Sequence, residues 1–348
     1  MSETVNGAER TPLHALHVEL GAKVVPFAGY AMPLHYPGGI LHEHLHTRAY
    51  ASLFDVSHMG QISINGQAAA LESVVTGDLA GLGVWRQRYS VLTNDSGGIR
   101  DDLMITRLPD RWFMVLNAAF KNQDIAHLRA ELSPACGIAV HDDRALLALQ
   151  GPRAAEALGA LTKAVLPLGF MSAREFDLNG ISCLISRSGY TGEDGFEISL
   201  PADRATELTR TLLRNPLVEP AGLGARDSLR LEAGLCLAGT DLDATITPIE
   251  AGLSWVVAKK YRDSLAPAHF PGATVILNQL KVGVTRTRIG LRPRGRIPFR
   301  GGLKLRAEDG REIGTITSGG FGASVNAPVA MGYVETASAA PGTVLHGE

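Results

Sequence analysis

Tight turns separate many of the short apolar runs in this 348-residue chain, and they limit how its strands can pair. Residues 102–108 and 112–117 are predicted to be the two strands of a hairpin that folds over Pro109 and Asp110. Residues 89–92, 145–149 and 196–200 also have strand character. Strands joined by such short turns run antiparallel, and predicted helices are interspersed among them. The sequence therefore predicts an α+β protein with antiparallel sheets.

Helices are predicted at several points between these strands. Residues 37–54 carry apolar side chains at four-residue spacing, which predicts an amphipathic helix; they are Leu41, Leu45, Ala49 and Leu53. A second helix is predicted from about residue 122 to 132. Asp203 is predicted to cap the helix that follows strand 196–200, and Arg226 to lie in the first turn of a helix that begins near Gly222.

The length of the chain favours two or three domains. Its character changes after Pro271. From Arg288 onward, short β-like runs are separated by glycine, proline and an Asp309-Gly310 turn, which predicts a small all-β domain. We place this boundary near residue 275.

The composition gives no overall indication of a partner. Hydrophobic residues form 45% of the chain, charged residues 20%, and the formal net charge of −2 gives no overall attraction to nucleic acid or membranes. Cys136, Cys183 and Cys236 are odd in number and lack CxxC spacing, so they are predicted to be buried reduced thiols. The first ten residues show no secretory signal or transit peptide, and no stretch reaches the roughly 20 apolar residues that span a bilayer.

One metal-binding pattern occurs on the helix predicted for residues 37–54. His42 and His46 lie four residues apart, with Glu43 between them, as in an HExxH zinc site. So short a pattern also arises by chance, and the sequence singles out no third zinc ligand. We therefore predict no metal site.

Two adjacent carboxylates open the strand predicted for residues 102–108. Asp101 and Asp102 must point to opposite faces of that strand, so at most one can face the core or a cleft while the other stays in solvent. Asp102 shares its face with Met104. One carboxylate of the pair is therefore a candidate catalytic residue, and the other is predicted to take no part in the reaction.

A glycine-rich turn spans residues 189–197. Its three glycines bend the backbone, and Glu197 follows Tyr190 by seven residues, so an aromatic hydroxyl and a carboxylate face a common space. Such a turn by itself is usually only a turn. The Gly222-Leu223-Gly224 segment lacks the strand and the third glycine of a dinucleotide site. For Trp255, base rates favour a place in the core.

A basic tract covers residues 286–306, where seven arginines and Lys304 occur without any acidic residue. Arg292, Arg294 and Arg296 share one face if a strand continues through Pro293. The tract is consistent with a solvated rim, with nucleic-acid binding, or with recognition of an acidic partner. The near-neutral chain and the lack of interleaved aromatic residues weigh against nucleic acid.

Six segments, taken in order, carry a family resemblance. They are residues 54–60 (FDVSHMG), 97–103 (GGIRDDL), 150–152 (QGP), 189–197 (GYTGEDGFE), 222–232 (GLGARDSLRLE) and 317–319 (TSG). Together they strongly resemble the aminomethyltransferase, or T-protein, family of the glycine cleavage system. The resemblance runs from about Thr11 to the C-terminus, and its specificity comes from the order and joint occurrence of the segments.

The resemblance implies three domains around a central tetrahydrofolate funnel. It assigns residues 1–50 and 147–275 to a discontinuous folate-binding core, 51–146 to a second α+β domain, and 276–348 to a C-terminal β domain with a barrel-like sheet. The implied reaction passes the one-carbon unit from the aminomethyl-lipoyl arm of the acidic H-protein to tetrahydrofolate. The products are 5,10-methylenetetrahydrofolate, ammonia and the dihydrolipoyl carrier. The P- and L-proteins are the implied further members of the system.

The resemblance also implies the site residues. Asp102 is the expected catalytic residue, close to the folate nitrogen that attacks the aminomethyl carbon. The expected folate-binding residues are Met59, Tyr89, Asp102, Tyr190, Glu197, Arg226, Trp255 and Arg288. A carboxylate such as Glu197 can accept the paired N–H donors on one edge of a pterin, and the aromatic and methionine side chains supply flat or adaptable walls. Tetrahydrofolate is expected as a co-substrate, with no metal.

The sequence departs from the family in two places. It ends at Glu348, where relatives usually continue through one or two further strands, so we expect either a sheet with an unpaired edge or a sequence that is part of a longer chain. Ala238 stands where a tyrosine is more usual. The KGCYxGQE motif of folate-binding proteins in iron–sulfur cluster maintenance is absent, and a tetrahydrofolate-dependent demethylase of a small amine or sulfonium compound remains the alternative. A bacterial cytoplasm is favoured over the mitochondrial matrix.

Overall fold

The computed structural model describes residues 7–347. A small sheet comes first, with strand order β1-β3-β2. Its strands are β1 (Glu9–Arg10), β2 (Lys23–Phe27) and β3 (Tyr30–His35). Helix α1 (His14–Glu19) lies within this part, and helix α2 (Gly39–Ala49) follows it.

A six-stranded sheet forms the centre of the molecule. Its order is β11-β12-β13-β10-β4-β14, antiparallel except for the parallel β4–β14 pair. The strands are β4 (Ala51–Asp55), β10 (Arg144–Gln150), β11 (Ala173–Asp177), β12 (Ser182–Ser186), β13 (Gly195–Pro201) and β14 (Val218–Pro220). Helices α5 (Ala154–Gly159) and α6 (Ala205–Leu213) help to cover one face, and α7 (Leu223–Glu232) contributes to the other.

A second, antiparallel sheet has the order β6-β7-β8-β5-β9. Its strands are β5 (Gly60–Asn65), β6 (Gln87–Thr93), β7 (Ile99–Arg107), β8 (Trp112–Leu116) and β9 (Gly137–Val140). Helices α3 (Ala68–Leu71) and α4 (Lys121–Leu132) cover one of its faces. The hairpin predicted over Pro109 and Asp110 is confirmed by the pairing of β7 with β8.

The last part of the chain is mainly β-structure, as the sequence predicts. Helices α8 (Lys259–Arg262) and α9 (Ala273–Val282) precede an antiparallel sheet with the order β15-β18-β17-β16-β19. The strands are β15 (Arg286–Leu291), β16 (Lys304–Arg306), β17 (Glu312–Gly322), β18 (Ala327–Glu335) and β19 (His346–Gly347). Within the described residues this order is open, without a pairing between β15 and β19. Residue 275 lies inside α9.

The six-stranded sheet and the β6-β7-β8-β5-β9 sheet face each other across a shared apolar cluster. In β10, alternation sends Leu147 and Leu149 to the helix-covered core and Leu146 and Ala148 to this cluster. The second sheet supplies Phe113 and Val115, and α7 supplies Ala225 and Leu229. The mixed α+β class with antiparallel sheets is therefore confirmed, and the surfaces that meet at this cluster are those from which a site can be built.

The predicted helix 37–54 is wrong in its length and in its buried face. Helix α2 ends at Ala49, because residues from Ala51 onward join the central sheet as β4. Leu41 and Leu45 are 56% and 44% exposed, whereas Glu43 and His44 are buried. The polar face lies inside because its groups find partners: Glu43 accepts hydrogen bonds from the backbone N–H groups of Tyr36 and Gly222.

Two other local predictions differ from the structure. Helix α6 begins at Ala205, after a 3₁₀ turn over Ala202–Arg204, and no side chain caps it, so the cap predicted for Asp203 is wrong. Strand β15 ends at Leu291, so Arg292, Arg294 and Arg296 do not lie on a strand face. Among the helices of residues 7–347, none is long and apolar enough to cross a membrane.

A buried ion pair joins α7 to the C-terminal sheet. Arg230 on α7 donates to Asp241 over 2.6 Å, and their side chains are 3% and 0% exposed. Ser318 on β17 contacts both of them, at 2.9 Å in each case. At its outer end, Arg230 also pairs with Asp227, whose side chain is 61% exposed.

We predict that Asp241→Ala lowers the free energy of unfolding by ~3–5 kcal/mol, because it leaves the Arg230 charge buried without its carboxylate. Asp227→Ala removes an exposed partner of the same arginine and is expected to cost about 1 kcal/mol or less. Urea unfolding of both variants and the wild type measures the difference. Equal losses in the two variants would contradict the prediction.

Candidate active site

Strand alternation places Asp102 on the β6-β7-β8-β5-β9 sheet and Glu197 on the six-stranded sheet, on the surfaces that face each other. On β7, Leu103 and Ile105 belong to the core beneath α3 and α4, whereas Met104, on the face of Asp102, belongs to the shared cluster. On β13, Phe196 and Ile198 face the core beneath α5 and α6, and Glu197 points the other way.

The predicted division of Asp101 and Asp102 is wrong in one respect. They do occupy opposite faces of β7, but Asp101 is only 1% exposed and does not stay in solvent. It lies on the core face with Leu103, close to Asp124 on α4 and to Asn117. Asp102, on the other face, is half-buried.

Burial raises the pKa of the Asp102 carboxyl to about 7, and negative charge on the neighbouring Asp101 carboxyl, when that group is ionised, contributes to the rise. Hydrogen bonding from Tyr89 and Asn117 favours the charged form and partly offsets the rise. The side-chain amide of Asn117 donates to Asp102 Oδ1 over 2.9 Å. A carboxyl with this pKa can act in either protonation state near neutral pH.

Tyr89 and Trp255 form an aromatic wall beside Asp102. Their ring centroids are 5.4 Å apart with planes inclined at 34°. Trp255 is 57% exposed, so it does not occupy the core position that base rates favour. One side of this wall remains open to solvent.

Glu197 and Arg226 form a second group. Burial raises the pKa of Glu197, while the Arg226 charge and a hydrogen bond from Ser188 over 3.2 Å lower it. Arg226 lies over the Tyr190 ring at 4.9 Å, and its buried Nη1 atom has no hydrogen-bond partner among the described residues. A buried guanidinium nitrogen without an acceptor is a candidate ligand contact.

Tyr190 connects the two groups. Burial raises the pKa of its hydroxyl, and the charges of both Asp102 and Arg226 act on it. The hydroxyl donates to the backbone carbonyl of Cys236. The structure thus brings Asp102 and Tyr89 together with Tyr190, Arg226 and Glu197.

Arg288 and Met59 are placed differently. The Arg288 guanidinium donates to the backbone carbonyls of Ala251 and Gly234, at 2.8 and 2.9 Å, so it ties β15 to two loops. Met59 packs against the shared apolar cluster. It also lines a separate cleft of about 810 Å³, together with Tyr30 and Lys121; no other residue of the predicted site lines that cleft.

Sequence reasoning missed Asn117, Asp124 and Ser188, and it gave Cys236 no place near the site. A signal for Asn117 was present in the predicted hairpin. Leu103 pairs with Leu116, and because the two strands are antiparallel, one step back along β7 and one step forward along β8 places Asn117 opposite Asp102. Cys236 is a free, buried thiol, as predicted, and burial raises its pKa to about 12.

The HExxH pattern does not form a zinc site of the expected kind. Glu43 is turned inward to the backbone of Tyr36 and Gly222, and His42 instead hydrogen-bonds Glu219 over 2.6 Å. In residues 7–347, no group of three or more histidine, cysteine, aspartate or glutamate side chains is arranged to hold a metal ion.

Comparison with known proteins decides the family. The family model described as the GCVT N-terminal domain matches residues 13–261, and the one described as the glycine cleavage T-protein C-terminal barrel domain matches residues 286–348. The chain belongs to the glycine cleavage T-protein family.

Full-length relatives agree with this assignment. The chain is 42% identical to a mitochondrial aminomethyltransferase of Dictyostelium discoideum, covering 98% of this chain and 89% of the relative. It is 44% identical to the mitochondrial aminomethyltransferase of Gallus gallus, covering 99% and 90%. The crystal structure of the glycine cleavage system aminomethyltransferase T from Bartonella henselae superposes with a TM-score of 0.91 at 46% identity, covering 98% of this chain and 93% of that one.

We predict that Glu197→Gln stabilises the ligand-free protein at pH 8. The raised pKa means that folded Glu197 binds protons more tightly than unfolded glutamate, so its contribution to stability falls as pH rises from 4.5 through the folded pKa. Glutamine is never charged, so at a pH where Glu197 would be ionised the variant should have a free energy of unfolding roughly 1–3 kcal/mol higher than wild type. Urea unfolding at pH 4.5 and pH 8 tests the prediction.

The matched control is Glu175→Gln in the same sheet, whose side chain is 58% exposed. Its stability difference from wild type should not change between the two pH values. A Glu197→Gln variant that is less stable than wild type at pH 8 would show that the ligand-free carboxylate is well accommodated.

Proposed function

We propose that the chain is a tetrahydrofolate-dependent aminomethyltransferase. It takes the one-carbon unit from an aminomethyl-lipoyl carrier and releases 5,10-methylenetetrahydrofolate, ammonia and the dihydrolipoyl carrier. The observation that carries the proposal is the grouping of Asp102 and Tyr89 with Glu197 and Arg226 around Tyr190. It occurs in a chain that matches aminomethyltransferases over nearly its whole length.

The chemistry of the second group suits a pterin. Glu197 can accept two parallel N–H donors of the ring edge, and the unpartnered Arg226 Nη1 can donate to a ring acceptor. Hydrogen bonds from these ligand N–H groups also offset the cost of burying Glu197, because they stabilise its carboxylate. Tyr190, Tyr89, Trp255 and Met59 offer apolar surface for the rest of the ligand.

Asp102 is the proposed catalytic residue of the protein. In its ionised form the carboxylate stabilises the positive charge that develops on the transferred carbon as the thiol or ammonia leaves. Half-burial strengthens this effect, because the local dielectric is lower than that of water. Bound tetrahydrofolate supplies the nitrogen atoms that accept the carbon. Arg288 is proposed to support the site from its rim by fixing the loops at Gly234 and Ala251.

We propose that three domains surround a central folate funnel. Residues 1–50 and 147–275 form the folate-binding core, 51–146 form the domain that contributes Asp102, and 276–348 form the C-terminal barrel-like domain. The apolar cluster shared by the six-stranded sheet, the β6-β7-β8-β5-β9 sheet and α7 supports this division. The Arg230–Asp241 pair supports the attachment of the third domain.

The proposed carrier is an acidic lipoylated H-protein that docks on the loop after β15. Arg292, Arg294 and Arg296 are exposed there and beside Ile297, which is 81% exposed. By contrast, Arg286 is bound to Glu250 and Lys304 to Glu312. We propose the glycine cleavage P- and L-proteins as further members of the system, and neither nucleic acid nor a membrane as a partner.

The demethylase alternative is not favoured, because the matched full-length relatives are aminomethyltransferases. Turnover of a small methyl donor without a lipoyl carrier would support it. A bacterial cytoplasm remains our proposal for the compartment. The solved relative comes from Bartonella henselae, whereas the named Dictyostelium and Gallus relatives are mitochondrial proteins.

Incubation with tetrahydrofolate and an aminomethylated lipoyl carrier is expected to release ammonia and 5,10-methylenetetrahydrofolate in equal amounts. Asp102→Asn is expected to lower kcat by about 100-fold or more, because the neutral amide cannot stabilise a developing cation. Its affinity for tetrahydrofolate should stay within about threefold, because the amide keeps the shape of the side chain. Unchanged turnover would remove Asp102 from the mechanism, and Asp95→Asn in an exposed turn is the control.

The combined change Arg294→Glu and Arg296→Glu is expected to raise KM for the lipoyl carrier by about tenfold at low salt, with little change in kcat. The difference from wild type should shrink as salt is added, because exposed charges are screened. Arg214→Glu, at the end of α6, is the matched control on a remote surface. A KM that responds equally in the control places the docking surface elsewhere.

A further inference from the structure

Asp101 is a carboxyl group in the apolar interior of the second sheet. It shares its face of β7 with Leu103 and Ile105 and is 1% exposed. The groups that act on its carboxyl are Asp124, Asn117 and the backbone N–H of Asp102, and none of these is a cation. A buried carboxylate without a cation is costly, so the group must be stabilised in another way.

Its partner is a second buried carboxyl. Asp124, in the first turn of α4, is 4% exposed and hydrogen-bonds the Asp101 carboxyl. Its Oδ2 atom is buried and receives no hydrogen bond from any donor group of the described residues. Two carboxylates have no proton to place between them, so this contact requires that one of the pair is protonated.

The proton is assigned to Asp101 near neutral pH. Burial raises the pKa of both carboxyls, and the Asp124 carboxylate raises that of Asp101 further. The ionised form of Asp124 is favoured by hydrogen bonding to Asp101, by the Arg100 charge and by its place in the first turn of α4, where the helix dipole stabilises an anion. One negative charge is then held by Asp124, and Asp101 is neutral.

Asn117 connects this pair to Asp102. Its side-chain nitrogen lies 2.9 Å from Asp101 Oδ1 and 2.9 Å from Asp102 Oδ1. The same nitrogen lies 2.9 Å from the Asp102 backbone carbonyl. The orientation of the amide is therefore set on one side by the carboxyl pair and on the other by the carboxylate assigned to catalysis.

We propose that Asp101 and Asp124 share one proton and, through Asn117, orient the Asp102 carboxylate and keep it ionised for one-carbon transfer. Asn117 is in this view a positioning residue, and the Asp101–Asp124 pair is its support. The neutral state of Asp101 matters because a second charge adjacent to Asp102 would oppose ionisation. The catalytic half of this inference rests on the proposed function.

The other titratable groups near these carboxyls do not have pKa values near 7. His127, one turn after Asp124 on α4, has its pKa lowered by burial and by the Arg100 charge. Tyr89 and Tyr190 lie on the side of Asp102, and burial raises the pKa of each hydroxyl well above its ordinary value. The Cys236 thiol has its pKa raised to about 12 by burial. Arg100 acts on Asp124 as a permanent cation. A kinetic transition near pH 7 is therefore assigned to the carboxyls.

The kinetic test is the pH dependence of kcat in three variants. Asn117→Ala removes a donor that favours charged Asp102. The acid limb of the profile, where kcat falls as pH is lowered, should therefore move to higher pH by about half a unit to one unit. KM for tetrahydrofolate should stay within about threefold of wild type. In Asp124→Asn an amide replaces the partner carboxylate, Asp101 ionises more readily, and the limb should again move up. In Asp101→Asn an amide N–H replaces the shared proton, so the limb should stay in place.

Asp101→Leu distinguishes positioning from simple filling of the core. It keeps the apolar surroundings but removes the acceptor for Asn117, and kcat should fall by about 10- to 100-fold. Asp101→Asn should restore most of this loss. Asp110→Asn, in the turn between β7 and β8 where its side chain is 67% exposed, is the control for an aspartate-to-asparagine change. Loss of activity in the Asn117, Asp124 and Asp101 variants without movement of any limb would overturn the positioning role.

Infrared difference spectra of the ligand-free protein test the shared proton without reference to catalysis. At pH 7.5 the carbonyl stretch of a buried, protonated carboxyl should be present in wild type, Asp102→Asn and Asp110→Asn, and lost in Asp101→Asn. An Asp101→Asn spectrum whose intensity at this stretch equals that of wild type would overturn the proposal. If wild type released neither product, the proposed function would fail, and the same infrared titration of Asp102 in the Asn117→Ala variant would still show whether Asn117 lowers its pKa.

Discussion

The ion pair between Arg230 and Asp241 is the contact on which the arrangement of the site depends. Arg230 lies one helical turn after Arg226 on α7, so fixing one of them fixes the direction in which the other points. Asp241 accepts hydrogen bonds from the Leu237 backbone and from β17, and this holds the segment whose Cys236 carbonyl receives the Tyr190 hydroxyl. One buried charge pair thus sets the position of an arginine, a tyrosine and the C-terminal sheet together.

A second network acts on the same turn from the opposite side. Arg48 on α2 donates to the Thr191 carbonyl over 2.7 Å and pairs with Glu193 and Glu232. Glu232 in turn contacts His44 and receives the backbone N–H of Ser324 in the β17–β18 hairpin. Arg48 therefore connects the glycine-rich turn to α7, and Glu232 connects α7 to the β17–β18 hairpin, in one chain of polar contacts.

The sequence predicted strands and turns well and the buried polar groups poorly. The hairpin over Pro109 and Asp110 was predictable because turn residues and strand alternation are local properties. The buried face of α2 was not, because Glu43 and His44 are stabilised by Gly222, Ser228 and Glu232, which lie about 180 residues away in sequence. The same holds for Asp101: alternation gave its face correctly, but only the tertiary structure reveals that a second carboxyl on α4 lies against it. For Glu197, Tyr190 and Arg226 the resemblance supplied the residues, and the structure supplied the unpartnered Nη1 atom and the burial.

The open side of the wall formed by Tyr89 and Trp255 gives the protein an optical property. Trp112 is 5% exposed inside the second sheet, whereas Trp255 is 57% exposed and lies 5.4 Å from Tyr89 beside Asp102. A flat ligand that covers this indole would displace water from it and change its emission, while the buried indole would keep its surroundings. The wall that offers a ligand its apolar surface can thus also report, through intrinsic fluorescence, when that surface is occupied.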